Sequence, residues 1–123
     1  MNFEKLVFVD LETTGANPTV DRITEIGLIE VDTSGKATRW SSLVNPEIPI
    51  PAFIQSLTGI SNDMVRNAPL FGELAGTLHE KLHGALFVAH NARFDYSFLR
   101  NAFTDAGYTF RADVLCTVKL SRK

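Results

Sequence analysis

The order of apolar runs in this 123-residue chain predicts an α/β protein, a mixed sheet with helices on its faces. Two observations carry that expectation. Three strand-like runs open the chain, at residues 5–11, 22–31 and 37–44, with connections short enough to make an antiparallel meander. Helical periodicity then alternates with short apolar runs at 85–89 and 114–116, the pattern of parallel strands in β-α units.

The first strand, 5–11, runs into Asp10-Leu11-Glu12-Thr13-Thr14-Gly15. After the loop Ala16-Asn17-Pro18-Thr19 comes the second, with apolar Ile23, Ile26, Leu28, Ile29 and Val31. Asp32-Thr33-Ser34-Gly35 has the composition of a tight hairpin, and the third strand returns with Trp40 and Leu43. Asn45-Pro46 ends it, while Pro49 and Pro51 keep the next stretch of chain out of any sheet centre. Pro51 suits the first turn of a short helix over 52–57 that stops near Gly59. Ser61 is placed to cap a further turn over 62–66.

Pro69 opens a longer helix in which Leu70, Phe71, Leu74, Leu78 and Leu82 recur at three-to-four spacing, with Gly84 ending it. His79 and His83, in its C-terminal half, read as solvated or dipole-complementing surface residues and not as ligands. The run 85–89 is apolar throughout and reads as a buried strand parallel to the first. A helix over 92–106 comes after His90-Asn91, with apolar Phe94, Phe98, Leu99, Ala102 and Phe103 and with Gly107 as its C-cap. Residues 114–116 read as another buried strand, and Thr117 as the cap of a helix through Val118-Lys119-Leu120.

Composition narrows the function classes. One domain fits this length, with an ordinary soluble balance of apolar and charged residues. A net charge of −2 argues against a protein that coats nucleic acid, yet allows an enzyme that grips a few nucleotides. The single cysteine, Cys116, forms no internal disulfide and reads as a small buried side chain, in keeping with a reducing compartment. No signal-peptide shape or membrane-length apolar run is present, so the expected location is the cytoplasm, away from membranes.

Chemistry concentrates at the first strand end. Side chains alternate along a strand, so Asp10 and Glu12 share a face while Leu11 points into the opposite layer. Two acids beside each other on an interior strand repel and lose hydration, which calls for a cation among oxygen ligands. The plain alternative is a pair of solvated acids. Asp95 falls in the first turn of a helix, where acids are favoured by the dipole alone. If the strand 85–89 lies beside the first, that helix start comes close to Asp10 and Glu12.

Taken in order, Asp10-Leu11-Glu12-Thr13-Thr14-Gly15, Leu57-Thr58-Gly59-Ile60 and His90-Asn91-Ala92-Arg93-Phe94-Asp95 resemble the motifs of the DnaQ-like (DEDD) 3′-5′ exonucleases. That family includes the epsilon proofreading subunit of bacterial DNA polymerase III, and similar domains occur fused to UvrC-type nuclease modules. The resemblance implies a ribonuclease-H-like fold over residues 1–123, a single exonuclease domain corresponding to the N-terminal two-thirds of a typical one. It implies that Asp10 bridges two divalent ions, Mg²⁺ or Mn²⁺, that Glu12 binds one and that Asp95 binds the other. Hard ions of this kind suit carboxylate oxygens and drive in-line phosphodiester hydrolysis. Substrate contacts would come from Leu11, Thr13, Thr14, Gly15, Leu57, Thr58, Gly59, Ile60, His90, Asn91 and Phe94, with the Thr13-Thr14-Gly15 loop holding the terminal nucleotide. Phe98 reads equally as a base contact or as core. Glu25 resembles the family's wording too, and a structural role is expected for it.

The chain also departs from the family's pattern. A fourth carboxylate, with a histidine five residues before it in the DEDDh subclass that the local wording favours, would come after Lys123. The sequence therefore reads as truncated before the third exonuclease motif, with three of four metal carboxylates and no general base. The expected substrate is a single-stranded or frayed DNA 3′ end, released as nucleoside monophosphates in proofreading or repair, with a polymerase or a UvrC-like module as partner. An RNA-trimming exonuclease and a non-cutting nucleic-acid-binding or partner-docking fragment are the alternatives.

Overall fold

A computed structural model describes residues 5–89, 92–110 and 113–116. Its elements in chain order are β1 (Lys5–Thr13), β2 (Ile23–Asp32), β3 (Ala37–Leu43), α1 (Ala52–Thr58), α2 (Asn62–Val65), α3 (Phe71–Leu82), β4 (Ala85–Ala89), α4 (Ala92–Asp105) and β5 (Asp113–Cys116). They build one five-stranded sheet in the order β3-β2-β1-β4-β5. β1 pairs antiparallel with β2 and β2 with β3, whereas β4 runs parallel to β1 and β5 parallel to β4. The meander followed by β-α units is as expected, and β1 is the central strand. The helix expected after Thr117, the side chain of Cys116, and His90-Asn91 lie outside the described residues.

Alternation along β1 separates two layers. Val7, Val9 and Leu11 are buried, while Phe8 and Asp10 are exposed and Glu12 is half-buried. The buried set meets Ile26 and Leu28 of β2, Phe87 of β4, Ala75, Leu78 and Leu82 of α3, and Phe98, Leu99 and Phe103 of α4. One core therefore fills the space between the sheet and the two longer helices. Phe103 anchors its far end, edge-on to Phe71 at 5.2 Å between centroids and tilted against Phe110 at 4.8 Å. His79 is drawn into this aromatic group: its Nε2 lies 3.0 Å from the Thr109 carbonyl oxygen, and its ring packs against Phe103 and Tyr108. His83 is exposed as expected, and His79 lies in the last turn of α3, where it suits the helix dipole, but is half-buried by these contacts.

Glu30, on the core side of β2, closes the opposite rim by accepting from Lys5 of β1 at 2.9 Å and Lys81 of α3 at 3.3 Å. Burial pushes its carboxyl up, but the two lysines outweigh this and hold it below the usual glutamate value.

A smaller apolar cluster, Ile50, Ile60 and Val65 with Leu43 and Ile54, fixes α1 and α2. Register places it. Leu43 stands opposite Glu25, and Glu25 opposite Glu12, and directly paired residues share a face. This second cluster therefore rests on the sheet face that carries Glu12 and Asp10, away from the main core.

Candidate active site

β1 extends two residues beyond the expected end, because Glu12 still pairs with Glu25 and Thr13 with Ile23 across an irregularity between Glu12 and Thr13. Glu12 is thus held in the sheet, and the turn begins at Thr14. The parallel register of β1 and β4 brings the start of α4, one loop beyond Ala89, to the acidic end of β1.

Asp95, in the first turn of α4, is 8 % exposed. Burial first, then the charges of Asp10 and Glu12, push its carboxyl from 3.8 up to about 7. Glu12 is raised in turn by burial, by Asp10 and by Glu25. These mutual effects bring together the three carboxylates singled out from sequence, and the favourable helix dipole does not offset them. Glu25 was expected to be structural, yet it adds a fourth negative charge beside Glu12. Its signal was the hairpin register, which could not be counted from sequence through the irregularity after Glu12.

Among the described residues no ion pair reaches Asp10, Glu12 or Asp95. Nor do three or more His, Cys, Asp or Glu side chains there stand in a geometry that holds a metal ion. The donor set nevertheless fits a hard divalent cation in sign and in kind, because it is all carboxylate oxygen and is electrostatically frustrated without one.

The adjoining loop is built around Asp21. Thr14, 1 % exposed, donates its hydroxyl to Asp21 Oδ1 at 2.9 Å and accepts from the Arg22 amide at 3.0 Å. Its own amide donates to the Arg22 carbonyl at 2.8 Å. A Cβ at Gly15 would stand 2.5 Å from Asp21 Oδ2, so the glycine is required by the carboxylate packed over it. The Thr13 hydroxyl donates to the Gly15 carbonyl at 2.6 Å. Both threonine hydroxyls are therefore engaged in shaping the loop. Replacing Thr14 with valine removes both side-chain bonds and should cost about 2 kcal/mol in urea unfolding. A loss below about 0.5 kcal/mol would contradict this description of the loop.

Other expected contacts divide. The Leu11 side chain is turned into the main core and Ile60 into the second one, so neither presents its side chain to a substrate. Leu57 is 70 % exposed. Gly59 caps α1 in the left-handed conformation, φ 78°, and the Thr58 hydroxyl donates to the Ile54 carbonyl at 2.9 Å. Phe98 is core, at 2 % exposed, and supports the half-buried Phe94 ring at 4.8 Å. A cavity of about 590 Å³ lies elsewhere, floored by Ile23, Val44 and Phe98 and rimmed by Asp21, Glu47 and Asp105; none of the three carboxylates lines it.

A mixed sheet of this strand order with helices packed on it is the ribonuclease-H-like fold. The family model described as "Exonuclease" matches residues 7–123, and the chain belongs to that family. It is 42 % identical over 124 residues to the 3′-5′ exonuclease DinG of Bacillus subtilis (strain 168), covering 99 % of this chain and 13 % of that protein. It is 42 % identical over 118 residues to the PolC-type DNA polymerase III of Caldanaerobacter subterraneus subsp. tengcongensis, covering 96 % of this chain and 8 % of the polymerase. The chain thus spans a small part of the relatives it matches. In fold it is similar to E. coli exonuclease I in complex with a dT13 oligonucleotide, with a TM-score of 0.85 at 19 % identity, over 97 % of this chain and 29 % of that one. No helix among the described residues is long and apolar enough to cross a membrane.

Proposed function

We propose that residues 1–123 act as a single domain in a metal-dependent 3′-5′ exonuclease that removes nucleoside monophosphates from single-stranded or frayed DNA in the cytoplasm, in proofreading or repair. The observation that carries this reading is the convergence of Asp10, Glu12 and Asp95, whose charges oppose one another at one strand end. Asp10, Glu12 and Asp95 would hold two divalent ions, Mg²⁺ or Mn²⁺, which when bound supply Lewis acidity and a hydroxide-like water.

The chain's own residues orient the DNA. The loop after β1, fixed by Asp21, offers its backbone to the terminal nucleotide at Thr13, Thr14 and Gly15. Leu57 presents an exposed apolar side chain to the terminal base from α1, on a segment whose turn is shaped by Thr58 and Gly59. Phe94, braced by Phe98, is a second apolar contact, and His90 and Asn91 are assigned to the same substrate. The oligonucleotide named with exonuclease I supports single-stranded DNA as the substrate, and the likeness to a PolC-type polymerase supports a polymerase as partner ahead of a UvrC-like module.

The test is incubation of a 3′-labelled single strand with the intact protein in Mg²⁺. Stepwise loss of nucleotides from the 3′ end, abolished by EDTA, is expected. An untouched strand under those conditions would sink the proposal, and a matched RNA strand cut faster would move it to RNA trimming.

A further inference from the structure

We infer that Phe53 forms a second nucleobase subsite one helical turn before Leu57, so that a 3′ end is held by its last two bases; this rests on the exonuclease reading above. Phe53 is 73 % exposed and Leu57 70 %, the two most exposed large apolar side chains among the described residues. Four residues apart on α1, they stand on one flank of the helix, about 6 Å apart along its axis. That separation suits adjacent bases spread from their ~3.4 Å stack.

Their exposure does not come from a loose helix. Ile54 packs α1 onto Ile50, Ile60 and Val65, and Gly59 closes the helix with its amide donating to the Gln55 carbonyl at 2.9 Å. Single exposed apolar residues are ordinary. Here two share a flank of a helix, Ala52–Thr58, that carries no charged side chain at all. The helix itself therefore sets no carboxylate against a phosphate backbone laid along it, although the chain's net charge is −2.

Position puts α1 on the same face of the sheet as the carboxylates. Ile60, just beyond α1, packs with the cluster on Leu43, and the register from Leu43 through Glu25 to Glu12 puts that cluster on the acidic face of the sheet. A strand whose terminal phosphodiester lies at the carboxylates can run over Leu57 and then Phe53. Apolar and aromatic faces grip bases regardless of sequence, as an exonuclease that traverses any sequence requires.

The test is a thermodynamic cycle, with binding of a 5′-fluorescein single-stranded dT12 read by anisotropy and its 3′ linkages protected as phosphorothioates. Phe53→Ala should weaken binding about tenfold when all bases are present, and leave it unchanged when the penultimate nucleotide is abasic. Leu57→Ala should show the same coupling to the terminal base. Wild-type binding with no coupling between Phe53 and the penultimate base overturns this inference alone. Absence of wild-type binding overturns it together with the exonuclease reading. A change of Phe53→Ala from dimer to monomer, without an effect on DNA, would assign the flank to a second copy and overturn it as well. Unchanged melting temperatures confirm that both exposed substitutions leave the fold intact.

Discussion

Replacing Asp95 with asparagine should stabilise the metal-free chain by on the order of 4 kcal/mol at pH 8.5, and by only about 1 kcal/mol at pH 4.5. The sign comes from the direction of the shift. The Asp95 carboxyl is pushed from 3.8 up to about 7 by burial and by the charges of Asp10 and Glu12. Below the unfolded value both states carry the proton and the full stability is present. As pH rises toward 7 the unfolded chain ionises while the folded chain holds its proton, so stability falls by about 1.4 kcal/mol per pH unit. Past the folded value the loss is complete. Asparagine has the shape of the protonated carboxyl and does not ionise, so it escapes this loss. Urea unfolding of both proteins in EDTA at the two pH values measures it. Equal differences at both would mean that Asp95 does not feel its neighbours.

The second large effect concerns Asp10. On the proposed function, Asp10→Ala should lower the rate of nucleotide release from a single-stranded 3′ end on the order of 10³-fold, because the set proposed to hold the cations would lose a carboxylate. Stability gives an independent readout. For the wild type, Mg²⁺ at a hundred times its dissociation constant should add about 2.7 kcal/mol, and Asp10→Ala should gain little of this. In EDTA the variant should be at least as stable as the wild type, since an exposed charge that raises Asp95 has been removed. Retained hydrolysis and an unchanged Mg²⁺ response would remove Asp10 from the site.

Much of the architecture could be read from the chain because each element announces itself locally. The strand alternation at Val7, Val9 and Leu11, the helical spacing of Leu74, Leu78 and Leu82, and the cap at Ser61 depend on neighbours within a few residues. The proximity of Asp10, Glu12 and Asp95 was legible as well, through motif and spacing. What sequence did not carry was pairwise geometry. Glu25 joins the acidic group only through a register that shifts after Glu12. Leu11 and Ile60 belong to recognisable motifs but turn inward, since a motif names residues and not the side to which each points. The hydroxyls of Thr13 and Thr14 are claimed by the loop because Asp21, seven residues beyond Thr14, folds back over Gly15. The bond from His79 to the Thr109 carbonyl depends on the chain returning from the far end of α4.

The carboxylate of Asp21 has a consequence for binding. It ties Thr14 on one side and the Asn17 amide on the other, at 2.9 and 3.0 Å, and fills the space over Gly15 before any ligand arrives. Ordering a floppy loop on association subtracts from affinity and slows capture, and a loop already set avoids both losses. Encounter with a strand end is then governed by diffusion and charge. On the proposed function, recognition at this end of the sheet would work as a socket, whose shape is inherited from folding and does not have to be made anew at each nucleotide removed.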